Sequence, residues 1–206
     1  MESRKSSSTE FDAVILGASG FTGKYVLREF LQCMQDDGRL KLKLALAGRS
    51  VAKLEAALRW ATGGSVREQR VSVVAADATD AASLRRLCGS TRVLLNCVGP
   101  CNQYGEAIVG ACVEAGADYV DISGEAEFME RIEAKYHDAA VAAKVVLVSA
   151  CANVSIVSDI GLQHHLRSWP HSVAPPPSSV FSYVRIHSFA SNHVASAETG
   201  FLALAN

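Results

Sequence analysis

Three glycines in Gly17-Ala18-Ser19-Gly20-Phe21-Thr22-Gly23 stand three residues apart, between the apolar run Ala13–Leu16 and a helix-like segment from Lys24 to Gln35. Strand, glycine loop and helix start, in that order, are the parts of a phosphate-binding site. Gly17 permits a tight turn, Gly20 lets backbone approach a pyrophosphate, and Gly23 lets the helix pack closely on the strand. The free N–H groups and the positive end of the helix dipole would face the anion. All seven residues of the loop are therefore candidate cofactor contacts; a glycine turn without a ligand is the plainer reading of the same stretch.

A second group of candidates follows the second apolar run. In a dinucleotide site an acidic residue there bonds the ribose 2′-hydroxyl of NAD, whereas an arginine accommodates the 2′-phosphate of NADP. This run ends in Ala47-Gly48-Arg49-Ser50, without Asp or Glu. Arg49 offers a planar donor fork, Ser50 a hydroxyl, and Lys53 a charge one turn on. The expectation is NADP(H) in preference to NAD(H), against Arg49 as a solvated charge at a helix start. Asp77 closes the third apolar run, where it could meet the adenine amino group or cap the next helix. Asn96, Val98, Gly99 and Pro100 end the fourth, at the place where ligands of open α/β sheets bind. Tyr104, Asp121 and Glu125 are weak acid/base candidates near strand ends. Their plainer readings are a wall residue, a turn former and a first-turn helix charge, so the catalytic residue stays unassigned.

The elements that must position these residues alternate. Strands are expected at 12–16, 43–47, 71–75, 93–97, 119–122 and 145–149. Helices are expected at 23–35, 51–61, 80–89, 106–115 and 126–143. Continuous Val/Ile/Leu strands separated by helices predict a parallel sheet covered on both faces, a doubly wound Rossmann-type α/β domain over residues 11–155. Residues 1–10 read as a polar, Ser-rich disordered tail. Past residue 155 the pattern changes: a helix at 158–166, a Pro/Ser-rich loop at 169–179 that is partly polyproline II, a strand at 181–189 and a helix at 197–205. These predict the start of a second, truncated α+β domain over 156–206. A partial domain would expose strand edges and apolar surface, which favours pairing with another chain, a homodimer among the forms this takes.

Bulk properties exclude several classes. The chain of 206 residues is 49% hydrophobic and 20% charged with a net charge of -1, so no basic stripe points to nucleic acid. No apolar run is long enough to span a membrane. The N-terminus lacks the apolar core of a secretory signal. The six cysteines form no CxxC pair, and the cytoplasmic, reduced reading follows. Cys97 and Cys101 read as packing rather than redox or metal residues, and the histidines show no metal-ligand spacing, so no metal site is expected. None of the five tyrosines is followed four places on by Lys, which argues against a short-chain dehydrogenase.

Together, Gly17–Gly23 (GASGFTG), Ala47–Ser50 (AGRS) with Lys53-Leu54, Asn96–Pro100 (NCVGP), Tyr104-Gly105-Glu106, Tyr119–Glu125 (YVDISGE) and Lys135-Tyr136-His137 resemble the saccharopine dehydrogenase-like oxidoreductases. That group includes the animal lipid-droplet-associated protein and the mycobacterial trans-acting enoyl reductases. The resemblance spans residues 11–165. It implies an NAD(P)-binding Rossmann domain followed by an α+β substrate domain, and hydride transfer to a lipid-linked or other small organic substrate. It also implies glycolipid or lipid metabolism, peripheral association with membranes, and a place at lipid droplets or mitochondria. The chain departs from the pattern at Cys101, where an aromatic residue is usual, and at Ala152, Val154 and Val157, which replace Gly, Asp and Pro. A non-catalytic dinucleotide-binding or membrane-associated interaction protein is the alternative these departures motivate.

Overall fold

A computed structural model describes residues 9–38, 41–64, 71–170, 175 and 177–181. Its elements are β1 (Phe11–Leu16), α1 (Phe21–Asp36), β2 (Leu44–Gly48), α2 (Val51–Ala61), β3 (Val71–Ala75), α3 (Ala81–Gly89), β4 (Thr91–Asn96), α4 (Cys101–Ala115), β5 (Asp118–Asp121), α5 (Ala126–Ala143), β6 (Leu147–Val148) and α6 (Asn153–Arg167). The strands form one sheet in the order β3-β2-β1-β4-β5-β6, and every neighbouring pair is parallel.

Alternation along the strands builds two cores. Ile15, Leu44 and Leu46 point to one face and pack with Leu27 and Leu31 of α1 and Leu54 of α2. Val14, Leu16, Ala45 and Ala47 point to the other, against Leu84 and Leu87 of α3, Ile108 and Cys112 of α4, and Phe128 and Ile132 of α5. Successive side chains of a strand face opposite sides, so a sheet covered on both faces needs apolar residues at every position. Strand order reverses between β1 and β4, and that reversal leaves a crevice beyond their C-terminal ends.

Element boundaries differ from the sequence expectation for local reasons. α4 starts at Cys101 rather than 106 because its first N–H groups find a distant partner, the Glu125 carboxylate. α1 starts at Phe21, ahead of Gly23. β5 ends at Asp121, where the side chain turns back to accept from Ser123 N at 2.9 Å. β6 is only Leu147–Val148, since Val145 N is drawn to Ala140 O at the end of α5. α6 starts at Asn153 rather than 158 and so straddles the expected domain boundary at 155/156. The described residues of 169–179 lie in neither helix nor strand, and Trp169 Nε1 donates to Pro175 O at 2.9 Å. Of the tail expected at 1–10, residues 1–8 lie outside the described residues, as do 182–189 of the strand expected at 181–189 and all of the helix expected at 197–205.

Candidate functional site

The chain leaves β1 through Gly17 at φ +83°, and Gly20 N donates to Gly17 O at 2.9 Å to close the turn. A Cβ on Gly17 would lie 2.9 Å from Val98 Cγ2 and 3.0 Å from the Cys97 carbonyl carbon. The first glycine thus makes room for the β4–α4 connection as well as for its own turn. A Cβ on Gly23 would lie 2.2 Å from Gly17 O and 2.9 Å from Ala18 Cα, so only glycine lets α1 sit this close to the loop. A Cβ on Gly20 would meet Gly17 O at 3.1 Å.

The helix that follows has Gly20 as N-cap, no side-chain cap and no acidic residue in its first turn. The next three helices are capped: α2 by Ser50, α3 by Asp80, α4 by Glu125. A helix start that carries no carboxylate keeps its positive end available to an anion.

In front of it lies a cleft of about 370 Å³. Of the residues expected to bind cofactor, Gly17, Ser19, Gly20, Phe21, Thr22, Arg49, Asp77, Val98, Gly99 and Pro100 line this cleft, and so does Tyr104. The remaining expected residues are not part of the lining. Ala18 is fully buried, and Gly23 is buried against Gly17. Ser50 spends its hydroxyl on Lys53 N at 3.4 Å, and Lys53 is exposed on α2. Asn96 is fully buried; it donates to Tyr119 Oη at 3.1 Å and accepts from Val98 N at 2.9 Å, which fixes the wall residue Val98. Leu16, Gly48, Ala76, Ala78, Thr79, Cys97 and Gln103 complete the lining. Thr79 has a sequence signal: Asp77 followed two places on by a hydroxyl residue forms an Asx turn.

Electrostatics divide the cleft. Arg49, at the end of β2, faces Asp77, at the end of β3. Asp77 Oδ1 accepts from Thr79 N at 2.9 Å and Thr79 Oγ1 at 2.8 Å. The backbone bond from Thr79 chiefly, then its hydroxyl and more weakly the Arg49 charge, hold this carboxyl below the usual range. On the β4 side, burial first and the Asp121 charge second push the Cys97 thiol up to about 12, and Cys101 likewise to about 12. Both stay protonated near neutral pH, so neither is a nucleophile. Among the described residues no group of three His, Cys, Asp or Glu is placed to hold a metal ion.

Two of the weak acid/base candidates lie outside the cleft lining, with their carboxylates bound to backbone. Asp121 Oδ1 accepts from Ser123 N and Ala150 N, each at 2.9 Å, and Oδ2 from Ser149 Oγ at 3.0 Å. Glu125 accepts from Cys101 N at 2.7 Å and Asn102 N at 2.8 Å. Tyr104 alone of the three faces the cleft.

A parallel sheet with this strand order, and a glycine loop opening a helix at the switch point, defines the Rossmann class. Residues 13–148 match the family profile described as the saccharopine dehydrogenase NADP binding domain, and the chain belongs to that family. A probable mitochondrial saccharopine dehydrogenase-like oxidoreductase of Arabidopsis thaliana is 47% identical over 180 residues, covering 86% of this chain and 39% of the relative. A lipid droplet localized protein of Caenorhabditis elegans is 42% identical over 157 residues, covering 75% of this chain and 36% of the relative. The chain therefore spans well under half the length of these curated relatives. Among solved structures, saccharopine dehydrogenase (L-Glu forming) of Saccharomyces cerevisiae has the same fold, with a TM-score of 0.56 at 15% identity, covering 76% of this chain and 31% of that one. No described helix is long and apolar enough to cross a membrane.

Proposed function

We propose that this chain binds NADP(H), in preference to NAD(H), in the cleft between β1 and β4. The observation that carries the reading is Arg49: it lines the cleft at the end of β2, where the stretch Ala47–Ser50 has no carboxylate. A guanidinium there suits a 2′-phosphate and gives nothing comparable to a 2′-hydroxyl. The loop from Gly17 to Thr22 would take the pyrophosphate at the uncapped start of α1, with Asp77 and Thr79 toward the adenine. Val98, Gly99, Pro100 and Tyr104 would wall the nicotinamide end. Behind them Asn96 holds Val98, and Glu125 holds the start of α4. The nicotinamide supplies the hydride chemistry when bound. These residues orient it and exclude water. Tyr104 is the group that could hold a proton there. The whole protein would then be an oxidoreductase acting on a lipid-linked or other small organic substrate, located at lipid droplets or mitochondria as its relatives are named.

A second reading is dinucleotide binding without turnover by this chain. The binding of Asp121 and Glu125 to backbone supports it, because it leaves few acid/base groups at the cleft. Oxidation of NADPH against a panel of enoyl and imine lipids tests it: turnover excludes this reading, and tight binding without oxidation favours it.

A further inference from the structure

Phe21, Lys24, Tyr25 and Arg28 are spaced i, i+3, i+4 and i+7 on α1, so they share one stripe of the helix. Trp60 of α2 joins them. The rings of Phe21 and Tyr25 meet edge to face at 5.4 Å between centroids, and those of Tyr25 and Trp60 at 5.1 Å. Lys24 Nζ lies 4.9 Å from the Trp60 centroid and 5.3 Å from that of Tyr25. The Arg28 guanidinium lies 5.2 Å from Tyr25 and 5.3 Å from Trp60. Large aromatic side chains gathered like this normally form core. Here they stay open to solvent, at 45% for Phe21, 38% for Tyr25 and 42% for Trp60.

We infer that this aromatic–cationic stripe is a docking surface for an anionic lipid bilayer, placing the mouth of the cleft at the membrane. Three observations favour a bilayer. The charge is complementary: among the described residues Lys24 has no carboxylate partner and Arg28 pairs only with the exposed Glu29 at 3.3 Å, a contact that contributes little in water. The chemistry is interfacial, since amphipathic Tyr and Trp rings settle at headgroup depth while Lys and Arg stems reach the phosphates. The stripe is also continuous with the cleft, because Phe21 belongs to both. A substrate dissolved in lipid would then reach the cleft along the Phe21 edge. The docking itself does not depend on which dinucleotide the cleft takes.

The test uses the full chain carrying Trp169→Phe, which leaves Trp60 as its one tryptophan. It is titrated with vesicles of phosphatidylcholine alone, and with about 30% phosphatidylserine added. The expected result is a blue shift of Trp60 emission with the anionic vesicles only, quenching by brominated acyl chains, and weakening as salt rises. In Lys24→Glu/Arg28→Glu the partition coefficient should fall roughly tenfold or more, with thermal unfolding unchanged. Should that variant not fold, brominated-lipid quenching in the otherwise native chain still decides. Absence of both shift and quenching overturns the proposal, as does equal partitioning of the charge-reversed variant. A Trp60 blue shift without lipid that grows with protein concentration also overturns it, and assigns the stripe to a second copy of the chain.

Discussion

Glu125 caps a helix it does not belong to. It precedes α5, yet its two carboxylate oxygens accept from Cys101 N at 2.7 Å and Asn102 N at 2.8 Å, at the start of α4. Only 5% of Glu125 is exposed, so water cannot replace it. Through this contact the end of β5 fixes the Gly99–Cys101 corner that walls the cleft.

Glu125→Ala should therefore act on both stability and the cleft. Two N–H groups lose their partner, which costs about 2 kcal/mol or more. Thermal unfolding should move down by roughly 5 °C or more. Glu125→Gln keeps one acceptor oxygen and should retain part of the loss. Differential scanning calorimetry of both variants checks this; equal melting of wild type and Glu125→Ala would remove the capping role.

Gly23→Ala should be worse than its single added methyl suggests. The new carbon would stand 2.2 Å from Gly17 O, with backbone on both sides and no flexible side chain to give way. The overpacking costs about 2 kcal/mol or more, and α1 must retreat from the loop that starts the cleft. Denaturant unfolding should show a lower midpoint, with dinucleotide affinity falling alongside. Gly38, whose added Cβ would meet nothing within 4 Å, is the control.

Alkali should destabilise the fold through its buried thiols. Cys97 and Cys101 sit near 12 in the folded chain against 9.0 for the free group. Raised values mean the folded state holds these protons more tightly. The stabilisation they contribute is present in full below the unfolded value and is lost as pH rises through the folded one. Urea midpoints measured across that window should fall, and Cys97→Ala should fall less steeply than wild type. Near neutral pH, iodoacetamide should modify exposed Cys33 ahead of Cys97 and Cys101.

Cys97, Cys101 and Glu125 also show where sequence reasoning stops. The alternation of strands and helices and the glycine loop were legible because their signals are local; the order of strands in the sheet came with the fold. Continuous apolar runs mean a doubly covered sheet, and the spacing of Gly17, Gly20 and Gly23 reports contacts made within one turn of chain. The close approach of Gly17 to Val98 was not legible, since 81 residues separate them in sequence and only the β1–β4 pairing brings them together. The start of α4 was misjudged for the same reason: its cap arrives from the β5–α5 connection, far along the chain. Asp121 reads as a turn former near a strand end, and its bond to Ser123 N agrees; its hold on Ser149 and Ala150 depends on β6 lying beside β5. Asn96 was placed correctly at the end of β4, but its part in fixing Val98 and Tyr119 needed the fold.

In the proposed function, Arg49 at the cleft selects the phosphorylated dinucleotide. Titration calorimetry of the wild-type chain and Arg49→Ala, each with NADPH and with NADH, tests it most directly. Wild type should bind NADPH much more tightly than NADH. Arg49→Ala should lose about 2 kcal/mol of NADPH affinity, as a charged hydrogen-bond partner would, and leave NADH almost unchanged. Equal losses for both dinucleotides, or equal affinities in the wild type, would contradict it.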